Sequence, residues 1–132
     1  MRPRILVIED NAQNMYLVRY LLEMNGCEVA GAEDGPTGIA LASGMSPDVI
    51  LLDIQIPVMD GYAVAKALRA NPALDAVPIV AVTSYAMAGD RERILAAGAD
   101  DYIEKPIDPA RFPSQVLAHV PRSSGGMKED AR

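Results

Sequence analysis

Asp53 closes the apolar run Val49-Ile50-Leu51-Leu52 and opens D-I-Q-I-P-V-M-D-G. Glu9 and Asp10 follow Ile5-Leu6-Val7-Ile8, Thr83 follows Ile79-Val80-Ala81-Val82, and Lys105 follows Asp101-Tyr102-Ile103-Glu104. Brought to one point, three carboxylates repel one another and require a compensating cation. Oxygen ligands with room for water suit magnesium better than zinc or copper. A lysine beside them is a point charge for a phosphoryl group, and a threonine hydroxyl can donate to a phosphoryl oxygen. Phosphoryl transfer to a carboxylate uses all of these groups, with Asp53 as the nucleophile that forms an acyl phosphate. Plainer readings stand beside this one. Glu9 and Asp10 can occupy a helix N-terminus, where acids gain about 0.3–1 kcal/mol from the dipole. Lys105 can be an ordinary ion pair, and Thr83 can simply end a strand. Asp53 weighs against capping alone, because capping needs no second acidic strand end.

The elements that must position these groups alternate regularly. Strands are predicted over residues 5–8, 27–32, 49–53, 79–83 and 101–104. Helices are predicted from Asn11 to Asn25, after Asp34, from Asp60 to about Ala70, from about Ala88 to Ala97, and from Asp108-Pro109 to before Pro121. In the first helix Met15, Val18, Leu21 and Leu22 share one face, and Gly26 supplies its stop. Asp34 caps the second, with Pro36 in its first turn, and Gly98 ends the fourth. Short, near-continuously apolar strands alternating with helices indicate a parallel sheet covered on both faces. In such sheets ligands bind at the carboxyl ends of the strands, where the strand order reverses. Each polar residue named above falls at such an end.

Composition sets the limits. The chain has 132 residues, half of them apolar, which suits one domain with its own core. Its net charge of -6 argues against nucleic acid as a partner, since phosphate binding needs clustered Lys and Arg. No apolar stretch is long enough for a membrane span, so membrane insertion is not expected. The single cysteine, Cys27, cannot form an intramolecular disulfide, which suits a cytoplasmic location. A lone histidine, His119, makes neither a zinc site nor a triad without remote partners. Residues 121–132 carry no apolar period and are expected to be a flexible tail behind a domain spanning 1–120.

I-L-V-I-E-D-N, D-I-Q-I-P-V-M-D-G, V-A-V-T-S and D-Y-I-E-K-P-I, in this order and spacing, resemble the receiver domain of bacterial response regulators. The resemblance covers about residues 3–120 and is nearest to stand-alone DivK-type regulators and hybrid-kinase receivers. It implies a flavodoxin-like, CheY-like (βα)5 fold with a five-stranded parallel sheet of order 2-1-3-4-5. It implies that Asp53 accepts a phosphoryl group from a phosphohistidine donor. Glu9, Asp10, Asp53 and the backbone carbonyl of Gln55 would hold Mg2+, with Mn2+ as a substitute. Thr83 and Lys105 would engage the phosphoryl group, and the Lys105-Pro106 peptide would be cis. Thr83 and Tyr102 would form the switch that remodels the surface of the fourth helix, fifth strand and fifth helix. Gln55 and Tyr85 stand where the family tunes phosphoryl lifetime, and neither is an acid able to orient water, so self-hydrolysis should be slow. The implied partners are a sensor histidine kinase or a histidine phosphotransfer protein, and a downstream protein.

Pro113 departs from a continuous last helix, where it would cost about 3 kcal/mol in the interior. Either residues 109–112 form a separate turn or the helix restarts at Pro113. A monomer or weak dimer is therefore expected. Two other readings compete with a phosphorylation switch. One is a magnesium-dependent phosphatase with an aspartyl-phosphate intermediate. Such enzymes commonly carry a second acid two residues after the nucleophile, where this chain has Gln55. The other is a degenerate receiver serving as a scaffold, which the full acid, Thr and Lys set disfavours.

Overall fold

The computed structural model describes residues 2–56, 58–84 and 88–121. Its strands are β1 (Arg4–Ile8), β2 (Glu28–Ala32), β3 (Val49–Asp53), β4 (Ile79–Thr83) and β5 (Asp101–Glu104). Its helices are α1 (Ala12–Met24), α2 (Gly35–Met45), α3 (Gly61–Arg69), α4 (Ala88–Ala96) and α5 (Phe112–Leu117). A 3-10 turn over Pro72–Leu74, not anticipated from the sequence, joins α3 to β4 and is capped by Asn71. All strand pairs are parallel, in the order β2-β1-β3-β4-β5. This is the expected doubly wound sheet.

β3 and β4 are buried at every position, whereas β2 at the edge buries only Ala32. That difference explains the unbroken apolar runs in the centre of the sheet and the weaker pattern of residues 28–32. One face of the sheet packs Leu6, Ile8, Ile50 and Leu52 under α2, α3 and α4, through Ala42, Val64, Leu68 and Ile94. The other packs Ile5, Val7, Val49 and Leu51 under α1 and α5, through Val18, Leu22, Phe112 and Val116. Each fully buried aliphatic side chain contributes about 1.5–3 kcal/mol, so the two-sided core holds the strand ends in register.

The helix starts follow capping chemistry. Asn11, Asp34 and Asp60 each accept a hydrogen bond from the backbone N–H three residues on, at 2.8–2.9 Å. Gly26 and Gly98, both at positive φ, follow α1 and α4 as anticipated. The last helix differs from expectation. It does not open at Asp108-Pro109 but begins at Phe112, and Pro113 lies in its first turn. The Asp108 carboxylate accepts from the Ala110 N–H, and its carbonyl accepts from Arg111 and Phe112, which makes residues 108–111 a turn. Pro113 is tolerated because the first-turn N–H groups lack helical partners anyway. No helix among the described residues is long and apolar enough to cross a membrane.

Candidate functional site

The strand order reverses between β1 and β3, so the chain leaves these neighbouring strands in different directions and opens a crevice. Glu9 and Asp10 leave β1 on one side of it, and Asp53 ends β3 on the other. Their carboxylate oxygens lie within 4.8 Å of one another. Glu9 and Asp53 are each only 4% exposed, while Asp10 is open to solvent. Lys105 reaches in from just beyond β5. Its Nζ lies 3.3 Å from Glu9 Oε1 and 3.3 Å from Asp53 Oδ2. The remaining oxygens take backbone donors: Asp53 Oδ1 from the Gln55 N–H at 3.0 Å, and Glu9 Oε2 from the Asn11 N–H at 3.1 Å.

The charge is unbalanced. Burial pushes the Glu9 carboxyl above its ordinary value, and the Asp53 carboxylate raises it further. The Asn11 N–H and Lys105 act in the opposite direction without cancelling this. A hard divalent cation with oxygen ligands fits such a set, because it removes the repulsion that one lysine leaves uncompensated.

Thr83 ends β4 and is 1% exposed. Its carbonyl accepts from the Lys105 N–H at 2.8 Å, so the backbone of β4 sets where Lys105 emerges. The Lys105-Pro106 peptide is cis. Tyr102, in the adjoining strand β5, is half-buried, with its hydroxyl 2.9 Å from Arg91 Nη1. Gln55 is exposed at the start of the β3–α3 loop. The expectation for Tyr85 lies outside the described residues, as does that for the tail beyond Pro121. The fold therefore gathers Glu9, Asp10, Asp53, Lys105 and Thr83 at one edge of the sheet.

Some features were not visible in the sequence. A cavity of about 340 Å³ adjoins the acids and runs beneath α1 between Leu17, Val18, Leu51 and Ile107. Residues 105–107 line it from far along the chain, and no local pattern encodes that placement. His119 was expected to have no partner for a metal site or triad. Its Nε2 lies 2.9 Å from Asp101 Oδ2, which pairs the segment just after α5 with the start of β5.

Fold and site define a doubly wound α/β protein with an acidic crevice at the switch point of its sheet. The chain belongs to the response regulator receiver domain family, which it matches over residues 5–117. It is 39% identical to the polar-differentiation response regulator DivK of Brucella ovis, over 91% of this chain and 98% of that protein. Its fold is similar to the chemotaxis protein CheY4 of Vibrio cholerae, with a TM-score of 0.87 at 27% identity, covering 91% and 100% of the two chains. It is also similar to the receiver domain of the sensor histidine kinase PA1611 from Pseudomonas aeruginosa PAO1, solved with a magnesium ion in its active-site cleft. That similarity has a TM-score of 0.82 at 35% identity and covers 89% and 97% of the chains.

Proposed function

We propose that this receiver domain is a phosphorylation switch in which Asp53 takes a phosphoryl group from a phosphohistidine protein. The observation that carries this reading is Lys105 Nζ standing 3.3 Å from both Glu9 Oε1 and Asp53 Oδ2. A cation shared between two buried acids is already placed beside the nucleophile. The Asp53 carboxylate attacks phosphorus while the P–N bond to the donor imidazole breaks. The bonding pair leaves with the imidazole. The Lys105 ammonium faces the charge of the transferred oxygens, and the Thr83 hydroxyl donates to one of them. Glu9, Asp10, Asp53 and the Gln55 carbonyl would hold Mg2+, with Mn2+ as a substitute. When bound, the ion neutralises oxygen charge during transfer. The magnesium in the cleft of the PA1611 receiver supports this assignment.

The phosphorylated state draws Thr83 toward the new oxygens and lets Tyr102 leave Arg91 for the interior. The surface formed by α4, β5 and α5 is then read by a downstream protein. Gln55 and Tyr85 set a long phosphoryl lifetime. The domain works in the cytoplasm as residues 1–120, as a monomer or weak dimer. Its partners are a sensor histidine kinase or a histidine phosphotransfer protein. The chain acts on itself rather than turning over a substrate.

Incubation with acetyl phosphate and magnesium tests this reading. Intact mass should show one added phosphoryl group in the wild type and none in Asp53→Asn. Multiple turnover of phosphomonoesters would point to a phosphatase instead. The absence of an adduct from acetyl phosphate or from any phosphohistidine protein would leave only a scaffold.

A further inference from the structure

The cavity beside the acids has a lining of two unlike kinds. Val7 of β1, Leu51 of β3 and Val82 of β4 contribute to it from the face of the sheet that packs under α1 and α5. Leu17 of α1 and Ile107, just beyond β5, extend this apolar part. Water against such surfaces finds few polar partners, so an apolar body is favoured in its place. The same cavity is lined by Glu9, Asp53 and Lys105. Two carboxylates against one ammonium leave one negative charge in the lining, and Asp10 adds another beside it. Glu9 and Asp53 are each only 4% exposed, so solvent screens this excess weakly. A volume of about 340 Å³ falls within the range of small-molecule sites, roughly 300–1,000 Å³.

We infer that this cavity is a binding site for a small organic cation, a primary ammonium carried on a ring-sized apolar body. The ammonium meets Glu9 and Asp53, and the body lies against Leu17, Leu51 and Ile107 beneath α1. A bare metal ion uses the carboxylates alone and leaves the apolar lining uncovered. A neutral apolar molecule leaves the acid excess unanswered, and an anion adds to it. Ammonium and magnesium draw on the same carboxylate oxygens, so each excludes the other. On the phosphoacceptor reading, the occupied domain is therefore held unphosphorylated. Recognition of the cation does not itself depend on that reading.

Titrations of the full chain in metal-free buffer test the inference, read by the chemical shifts of leucine and isoleucine methyl groups. The probes are phenethylamine, the neutral phenethyl alcohol, the anionic hydrocinnamate, and methylamine, which has the charge without the body. Phenethylamine should saturate with a Kd about ten-fold or more below that of the alcohol, and the other two should not saturate. Saturating magnesium should raise its apparent Kd about ten-fold or more. Leu17 is half-buried, so Leu17→Trp, which narrows the cavity, and Leu17→Gln, which makes its wall polar, should both keep a Tm near wild type. Each should weaken phenethylamine about five-fold or more and leave magnesium binding within about two-fold. Equal affinity for the amine and the alcohol would overturn the inference, as would no saturation by the amine. Unchanged amine binding in both Leu17 variants would also overturn it, by reducing the ligand to a counter-ion at the acids. A wild type that binds the amine as expected but takes no phosphoryl group would sink the proposed function and leave this inference standing.

Discussion

The two edges of the sheet handle charge in opposite ways. At the carboxyl edge, Glu9 and Asp53 share one lysine, with both contacts at 3.3 Å. At the amino edge, Arg69 meets Asp100 at 2.6 Å, and its other N–H groups donate to the carbonyls of Gly98 and Leu74 at 2.9 Å. The same Asp100 oxygen also accepts from the Ile79 N–H at 2.8 Å. That arrangement matches donors to acceptors and ties α3, the 3-10 turn, β4 and the entry to β5 together. The carboxyl edge leaves acid in excess. A satisfied ion pair ties its elements together, whereas an unsatisfied acid cluster leaves repulsion that a cation would offset.

The largest expected contrast comes from Arg69→Ala. It leaves two carbonyls and a carboxylate short of donors, and should destabilise the domain by about 2–3 kcal/mol in urea unfolding. Acetyl phosphate labelling per folded molecule should not change. A loss of labelling without a loss of stability would break the contrast between the edges. Glu9→Gln should act in the opposite sense. Relieving the repulsion with Asp53 should stabilise the metal-free protein by about 1 kcal/mol, while the rise in Tm on adding magnesium disappears. Destabilisation by Glu9→Gln without metal would show that Lys105 already balances the cluster.

The pH dependence sharpens the same point. The raised Glu9 value means that the folded state holds a proton that the unfolded chain has released. Between the ordinary value and the raised one, the folded state therefore binds more protons. Metal-free stability should fall as pH rises through that window, and the slope should vanish in Glu9→Gln. Denaturant midpoints measured across mildly acidic pH would show it. The smallest effect belongs to Glu28→Gln. Its partner Arg4 lies 3.7 Å away and both side chains are largely exposed, so the change should stay within about 0.5 kcal/mol.

Much of the fold was legible because its signals are local. Asn11, Asp34 and Asp60 announced three helix starts, and the unbroken apolar runs of β3 and β4 announced central strands. Parallel pairing then brings all strand ends to one edge, so the gathering of Glu9, Asp53, Thr83 and Lys105 followed from element order. The last helix misled for a local reason as well. Asp108-Pro109 reads as a helix opening, but here the Asp108 side chain and carbonyl close a turn. Val58 lies at φ 74 and gave no sign of it, because valine has no bias toward positive φ.

The sequence by itself determined which chemical groups stand at strand ends, since alternation and capping act over a few residues. Only the tertiary structure decided how those groups share their charges. Lys105 lies 96 positions from Glu9 and 52 from Asp53 in the chain, and Arg69 lies 31 from Asp100. Contacts at such separations depend on how the layers pack, and distance and burial set whether a carboxylate ends up satisfied or reactive.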